Sequence, residues 1–284
     1  MFKFSCADYS FPVLERSGAL RLVKLLGFHH VDMGLFARSS HFSPNELQAS
    51  PRRYTAQILH DLNEAELHVS DLFVQIGVDP SECSANDPSP TVRNKNRDAF
   101  SHALDFCVAL SCNHLTGLPG VFHSAASRDR DLELAAEEAT RRVTECARAG
   151  VRYAIEPHVD SICAEVGSTH IFLNAVEGLT LTLDYGHFVA AGEISWKVHN
   201  LLPSASHIHV RGGAIGRSQT SLEENAIDFT GMLTGLQRLG YGGFLALEYV
   251  WVDWKGCNRT DNVSETLLLR RALESTASEM TTGV

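Results

Sequence analysis

The 284-residue chain predicts a single (β/α)8 TIM barrel, and three observations carry the prediction. Short apolar, β-branched stretches alternate with helical stretches along the whole length, eight of each, with no linker-like break. Four stretches in the second half, VRYAIEPH, LTLDYGH, SHIHVRGG and FLALEYV, deliver Glu156, Asp184, His209 and Glu248, each a metal-competent side chain. Their separations of 28, 25 and 39 residues leave room for a strand of about 5–6 residues and a helix of about 11–12 in each unit. Finally, an open doubly wound sheet ordinarily carries a glycine-rich phosphate loop after its first strand, and CADYSFP is not one.

Residues 2–8 (FKFSCAD) read as the first strand, and a helix over 13–26 stops at Gly27. FHHVDMG is the second strand, and Pro51 suits the first turn of a helix running to residue 65. LHVSDLFVQIG is the third. GVDPSECSANDPSP, with three prolines and no periodicity, is a loop and a candidate lid. A helix over 91–111 precedes CNHLTGLPG, a weak fourth strand, and residues 131–149 are strongly helical up to Gly150. The four strands named above follow, with helices near 159–176, 191–202 and 226–239 between them. A last helix spans 262–275, and 272–284 reads as the frayed tail of one domain covering 1–284.

A hydrophobic content of 44% supports a large core, and a net charge of −10 argues against nucleic acid as a partner. The seven cysteines are odd in number, irregularly spaced and free of CxxC, as expected of a reduced compartment. With no signal-like N-terminus and no long apolar span, a soluble cytoplasmic protein without a membrane partner is expected.

In a barrel of strand–helix units the C-terminal strand ends converge on one face. A lone Glu at a strand end is usually a salt-bridge partner and a lone His a surface or core residue; repetition on four successive strands favours a shared site. Three carboxylates and one imidazole make a hard-metal site, suited to Mn2+ first, with Mg2+ or Co2+ as alternatives. Such an ion would grip two neighbouring oxygens of a hydroxy-carbonyl compound, acidify the adjacent C–H and stabilise the resulting enediolate. Glu156 and Glu248 are then candidate acid and base, pure metal ligation being the alternative. His187, three residues after Asp184, is placed to meet a substrate hydroxyl. His158 shares the strand face of Glu156 if the extended geometry continues past Pro157. Of the two arginines in VRGGAIGRSQ, Arg211 and Arg217, the latter is favoured for substrate binding. His207 and His209 alternate onto one face, and His209, nearer the strand end, is the better ligand.

At IEPH, LDYGH, HIHV and GYGGFLALEY, in that order, the sequence resembles the xylose isomerase-like TIM-barrel superfamily of sugar isomerases and epimerases. The resemblance covers most of the chain and implies one divalent metal, often Mn2+, held by Glu156, Asp184, His209 and Glu248. It implies the two glutamates as acid and base and His187 as a substrate contact. Xylose isomerases proper and related endonucleases carry further ligands, including an Asp shortly after the strand-seven His. Here that neighbourhood is Arg211–Gly212–Gly213, which favours a single-metal site. Keto-sugar 3-epimerases tend to carry a second Glu six residues after the first, where this chain has Ile162.

The leading expectation is a metal-dependent isomerase or epimerase of a small, unphosphorylated sugar or keto-sugar. A lyase using the same site, a dehydratase or a C-glycoside-cleaving subunit, is the alternative. A non-catalytic sugar-binding barrel and a phosphodiester hydrolase rank lower. Trp251 and Trp254 wall the pocket, form a subunit contact or serve ordinary packing; a homo-oligomer is expected, a hetero-subunit being the other option.

Overall fold

The structure, a computed structural model, describes residues 2–282, with side chains through Met280. In chain order the elements are β1 (Lys3–Ala7), α1 (Arg16–Leu25), β2 (His30–Phe36), α2 (Pro44–Ala49), α3 (Pro51–Glu64), β3 (His68–Gln75), α4 (Pro90–Ala109), β4 (His114–Gly117), α5 (Arg128–Arg148) and β5 (Arg152–Ile155). Then come α6 (Val166–Ala175), β6 (Thr180–Asp184), α7 (Tyr185–Ala190), α8 (Ser195–Val198), β7 (Ala205–Val210), β8 (Gly212–Ala214), β9 (Arg217–Thr220), α9 (Phe229–Arg238), β10 (Phe244–Leu247) and α10 (Asn262–Thr282). Eight parallel strands close in the order β1-β10-β7-β6-β5-β4-β3-β2, and β8 and β9 form a separate antiparallel pair. The predicted barrel is therefore the observed fold.

Strand alternation divides the side chains into two populations. Val31, Met33, Leu72, Leu115, Leu181, Leu183, Ile208 and Leu245 join one large hydrophobic cluster with helix residues such as Leu20, Ile58, Phe100 and Leu236. The intervening residues face the barrel axis and many are polar: Thr116 and Thr182, on either side of β5, meet Oγ1 to Oγ1 at 2.6 Å. Burying aliphatic faces against the helix shell drives closure, while polar residues inside must find partners from other strands.

Outside β5, Glu138 of α5 anchors a buried guanidinium network. It accepts from Arg97 Nε at 2.8 Å and from Arg142 Nε at 3.0 Å, and Arg142 in turn reaches the Tyr153 hydroxyl at 3.1 Å and stacks 4.4 Å above the Phe100 ring. Tyr153 thereby points outward with Ile155, so Glu156, three residues along and on the other face, emerges at the strand end towards the axis.

Several elements differ from the sequence reading. The helix expected over 159–176 begins only at Val166, because Ser161 Oγ bonds the His158 carbonyl and the Cys163 N–H in a turn, and Ser168 Oγ accepts from the Glu165 N–H at 3.2 Å to start the helix. The helix expected over 191–202 is split: α7 starts directly after Asp184, Gly192 leaves it at φ 95°, and a short α8 and a 3-10 segment follow. The β8–β9 pair was not anticipated. The last helix does not stop at 275. It continues to Thr282, with Thr276 Oγ1 and Ser278 Oγ returning hydrogen bonds to the carbonyls four residues back, so the polar sequence does not break it. Residues 283 and 284 of the expected tail lie outside the described residues.

Arg141, Arg142 and Arg97 outweigh burial and hold the Glu138 carboxyl down at about 2. Its stabilisation is complete above the ordinary glutamate range, about 4.3, and is lost as the pH falls through about 2. Replacing Glu138 by Ala leaves buried arginines uncompensated and should cost about 3–5 kcal/mol. Denaturant melts between neutral pH and pH 2 should show both the loss and a flatter acid limb for the variant.

Candidate active site

The C-terminal ends of β5, β6, β7 and β10 bring Glu156, Asp184, His209 and Glu248 together, all buried. His209 Nδ1 lies 2.5 Å from Glu156 Oε1 and 3.5 Å from Glu248 Oε1. Donor atoms of Glu156, His209 and Glu248 fall within 4.8 Å of one another, and so do those of Glu156, Asp184 and His187. Glu156 is common to both trios and links them, Asp184 grouping with Glu156 and His187 and not with His209 and Glu248. His187 Nε2 is 3.5 Å from Asp184 Oδ2 and 4.0 Å from Glu156 Oε2.

The tight turn in DYGH has a steric cause. A Cβ on Gly186 would stand 2.5 Å from the Ser218 carbonyl oxygen and 3.0 Å from Asp184 Oδ1. Only a bare Cα lets α7 pass under β9 while the Gly186 N–H donates to Asp184 Oδ1 at 2.7 Å, fixing that carboxylate.

The electrostatics follow from burial of like charges. Burial, then the nearby Glu248, pushes the Glu156 carboxyl up to about 8. Burial also raises Glu248, partly offset by His209 and Arg211. Asp184 goes the other way: burial opposes ionisation, yet Arg211, His187 and His209 hold it below the usual carboxylate range. Burial drives His187 down to about 3, leaving a neutral imidazole. His209 is raised although burial disfavours its charge, because Glu248 and Glu156 flank it.

The donor set suits a divalent cation. Glu248 Oε2 is buried without a hydrogen-bond partner, and two carboxyl groups share the Nδ1 side of one imidazole. A cation among Glu156, Asp184, His209 and Glu248 would neutralise that repulsion with the oxygen-rich donors hard metals prefer.

Two arginines trade places relative to expectation. Arg217 is on β9 at the surface, paired with Glu224 at 2.9 Å, and does not line the site. Arg211 enters it: this buried guanidinium donates to Asp184 Oδ2 at 2.5 Å and lies 3.6 Å from Glu248 Oε2 and 3.2 Å from His187 Nε2. The β8–β9 turn carries Arg217 outward, whereas Arg211 directly follows the barrel strand. His158 borders the same cavity, its Nδ1 occupied by the Val159 carbonyl at 2.7 Å. Tyr9, not singled out in the sequence, donates its hydroxyl to Glu248 Oε1 at 3.0 Å. Its position just past the first strand was the available signal.

Above these groups opens a cavity of about 840 Å3. Glu156, His187 and Glu248 lie at its base, and Phe36, Phe73, Phe122, Trp251 and Trp254 wall it. Trp254 stacks near His187 with ring centroids 5.9 Å apart, so both tryptophans belong to the pocket wall. The proline-bearing loop reaches the rim through Val78, Asp79, Pro80 and Ser81.

Residues 20–273 match the model of the xylose isomerase-like TIM barrel family. The chain belongs to that family. No curated protein matches it by sequence. Among solved structures it is similar to a D-psicose 3-epimerase with D-tagatose from Clostridium cellulolyticum (13% identity, 97% of this chain and 99% of that one, TM-score 0.74). It is also similar to a probable 3-DHS dehydratase involved in petrobactin synthesis from Bacillus anthracis (14% identity, 95% and 99%, TM-score 0.68). A third is a xylose isomerase-like TIM barrel protein from Mycobacterium smegmatis in complex with magnesium (13% identity, 98% of each chain, TM-score 0.72). At these identities the likeness establishes the fold. Among the described residues no helix is long and apolar enough to cross a membrane.

Gly186→Ala should destabilise the fold by about 1–3 kcal/mol through overpacking against β9. A lowered denaturant midpoint checks this; an unchanged midpoint would mean that the hairpin yields.

Proposed function

We propose that the protein is a divalent-metal-dependent isomerase or epimerase of a small sugar or keto-sugar, acting by proton transfer at the carbon beside a carbonyl. The observation that supports this best is the meeting of Glu156 and Glu248 at His209 on the floor of an open cavity. The two glutamates come from different strand ends, after β5 and β10, which would let them serve as separate acid and base. Glu156, whose ionisation burial and Glu248 disfavour, is placed to take up or release a proton. Glu248 differs because Tyr9 hydrogen-bonds one oxygen and Arg211 stands near the other. Neutral His187 accepts from Arg211 at Nε2, which leaves its Nδ1–H to donate to a substrate hydroxyl, and Asp184, locked by Gly186 and Arg211, stays ionised. A divalent cation held by Glu156, Asp184, His209 and Glu248 supplies a Lewis acid that polarises the carbonyl; Mn2+ is the ion we propose.

A second reading, a lyase, is favoured by the cavity itself. At about 840 Å3 it is at the upper end of small-molecule sites (about 300–1,000 Å3), leaving space for a departing group.

Keto-hexoses incubated in D2O with Mn2+-loaded protein should gain deuterium at the carbon next to the carbonyl without losing a group. Release of water or an aglycone at the same rate would shift the assignment to a lyase. If neither occurs on a broad panel of keto-sugars, both readings fall. Glu156→Gln and Glu248→Gln should each slow exchange by about 10²–10⁴-fold, and chelation of the metal should abolish it.

A further inference from the structure

Below the candidate active site the barrel holds ionisable side chains where such barrels usually carry bulky aliphatic layers. Asp32 on β2 and Asp71 on β3 are partners in register, and both are fully buried. His207 reaches from β7 to place Nε2 2.6 Å from Asp32 Oδ2. Donor atoms of Asp32, Asp71, His207 and His209 all lie within 4.8 Å of one another. Asp32 Oδ1 and Asp71 Oδ2 are buried and have no hydrogen-bond partner. Two carboxylates held side by side away from water, each with an unsatisfied oxygen, form a costly arrangement. A cation would remove both costs at once.

The neighbours leave those oxygens available. His114 Nδ1 binds the other oxygen of Asp71, Oδ1, at 2.6 Å, while His114 Nε2 is fixed by Ser206 Oγ at 2.8 Å. His209 Nε2 lies 3.4 Å from Asp32 Oδ2. Such outer contacts orient carboxylate ligands in metal sites. His207 and His114 line a second cavity, of about 830 Å3, at the opposite end of the barrel, among the first residues of the strands, with Ser70, Ser206 and Tyr241.

We propose that Asp32, Asp71 and His207 form an inner divalent-cation site, reached from the N-terminal end of the barrel and separate from the glutamates at its mouth. Two carboxylate oxygens and one imidazole nitrogen suit Mn2+, Co2+ or Zn2+, with water from the lower cavity completing the coordination. His209 stands between the two centres, with Nδ1 towards Glu156 and Nε2 towards Asp32. The inner site does not depend on the reaction proposed above.

The test strips the full-length protein with chelator and titrates it with Co2+, following visible absorption and bound cobalt after gel filtration. Two equivalents are expected for the wild type. The Glu156→Gln/Glu248→Gln double variant should keep one, and Asp71→Asn and His207→Gln should each lose one of the two. A single equivalent that the double variant loses would overturn the proposal, leaving Asp32 and Asp71 as plain Asp–His pairs. So would Asp71→Asn and His207→Gln proteins that still bind both equivalents, or a wild type that binds none. A single equivalent kept by the double variant and lost with Asp71→Asn would uphold the inner site and instead overturn the metal site at the mouth. Should the buried variants fail to fold, the wild type and the double variant still decide between these outcomes.

Discussion

The pairing of His209 with Glu156 and Glu248 lies at the centre of a larger problem, the balance of negative charge that the barrel has taken out of water. Asp32, Asp71, Asp184, Glu156 and Glu248 are all buried, and each meets a cationic or imidazole partner on another strand or beyond it. Removing one member of such a set costs far more than the pair contributes, because the survivor is left alone in a low dielectric. Burial, and after it the charge of Glu248, raises Glu156 above the usual carboxylate range.

The aliphatic half of each strand makes this interior possible. Leu181, Leu183, Ile208 and Leu245 face the helices and join the main core, so closure does not depend on apolar packing along the axis. The axis is then free to hold threonines, histidines and aspartates that satisfy one another between nearby strands and, for His207 and Asp32, across the barrel. The Glu138–Arg142–Tyr153 network on the outer side of β5 helps set the pitch of the strand that carries Glu156.

Family membership explains the frame, and the local residues give it particular character. Where the resemblance leads one to look for an additional acid after the strand-seven histidine, this chain has Arg211. Its guanidinium lies between Asp184 and Glu248, adding fixed positive charge next to the candidate metal ligands. The aromatic walls narrow the range of groups that can sit above the glutamates, favouring ligands with an apolar face.

The sequence by itself determined the barrel and the four strand-end residues, because strand alternation and unit spacing are local properties that tertiary packing preserves. It also marked His187 and His158, which follow those strand ends closely. Only the tertiary structure decided that Arg211 rather than Arg217 enters the site, since the turn between β8 and β9 sets their directions. Tyr9 and Glu248 are 239 residues apart, and His207 and Asp32 are 175 apart. No local pattern links such residues; ring closure brings β1 against β10 and turns β2 and β7 towards the same axis. An acid inside an apolar strand, such as Asp32 or Asp71, shows in the sequence only as a break in hydrophobicity, and its partner becomes defined when the barrel closes.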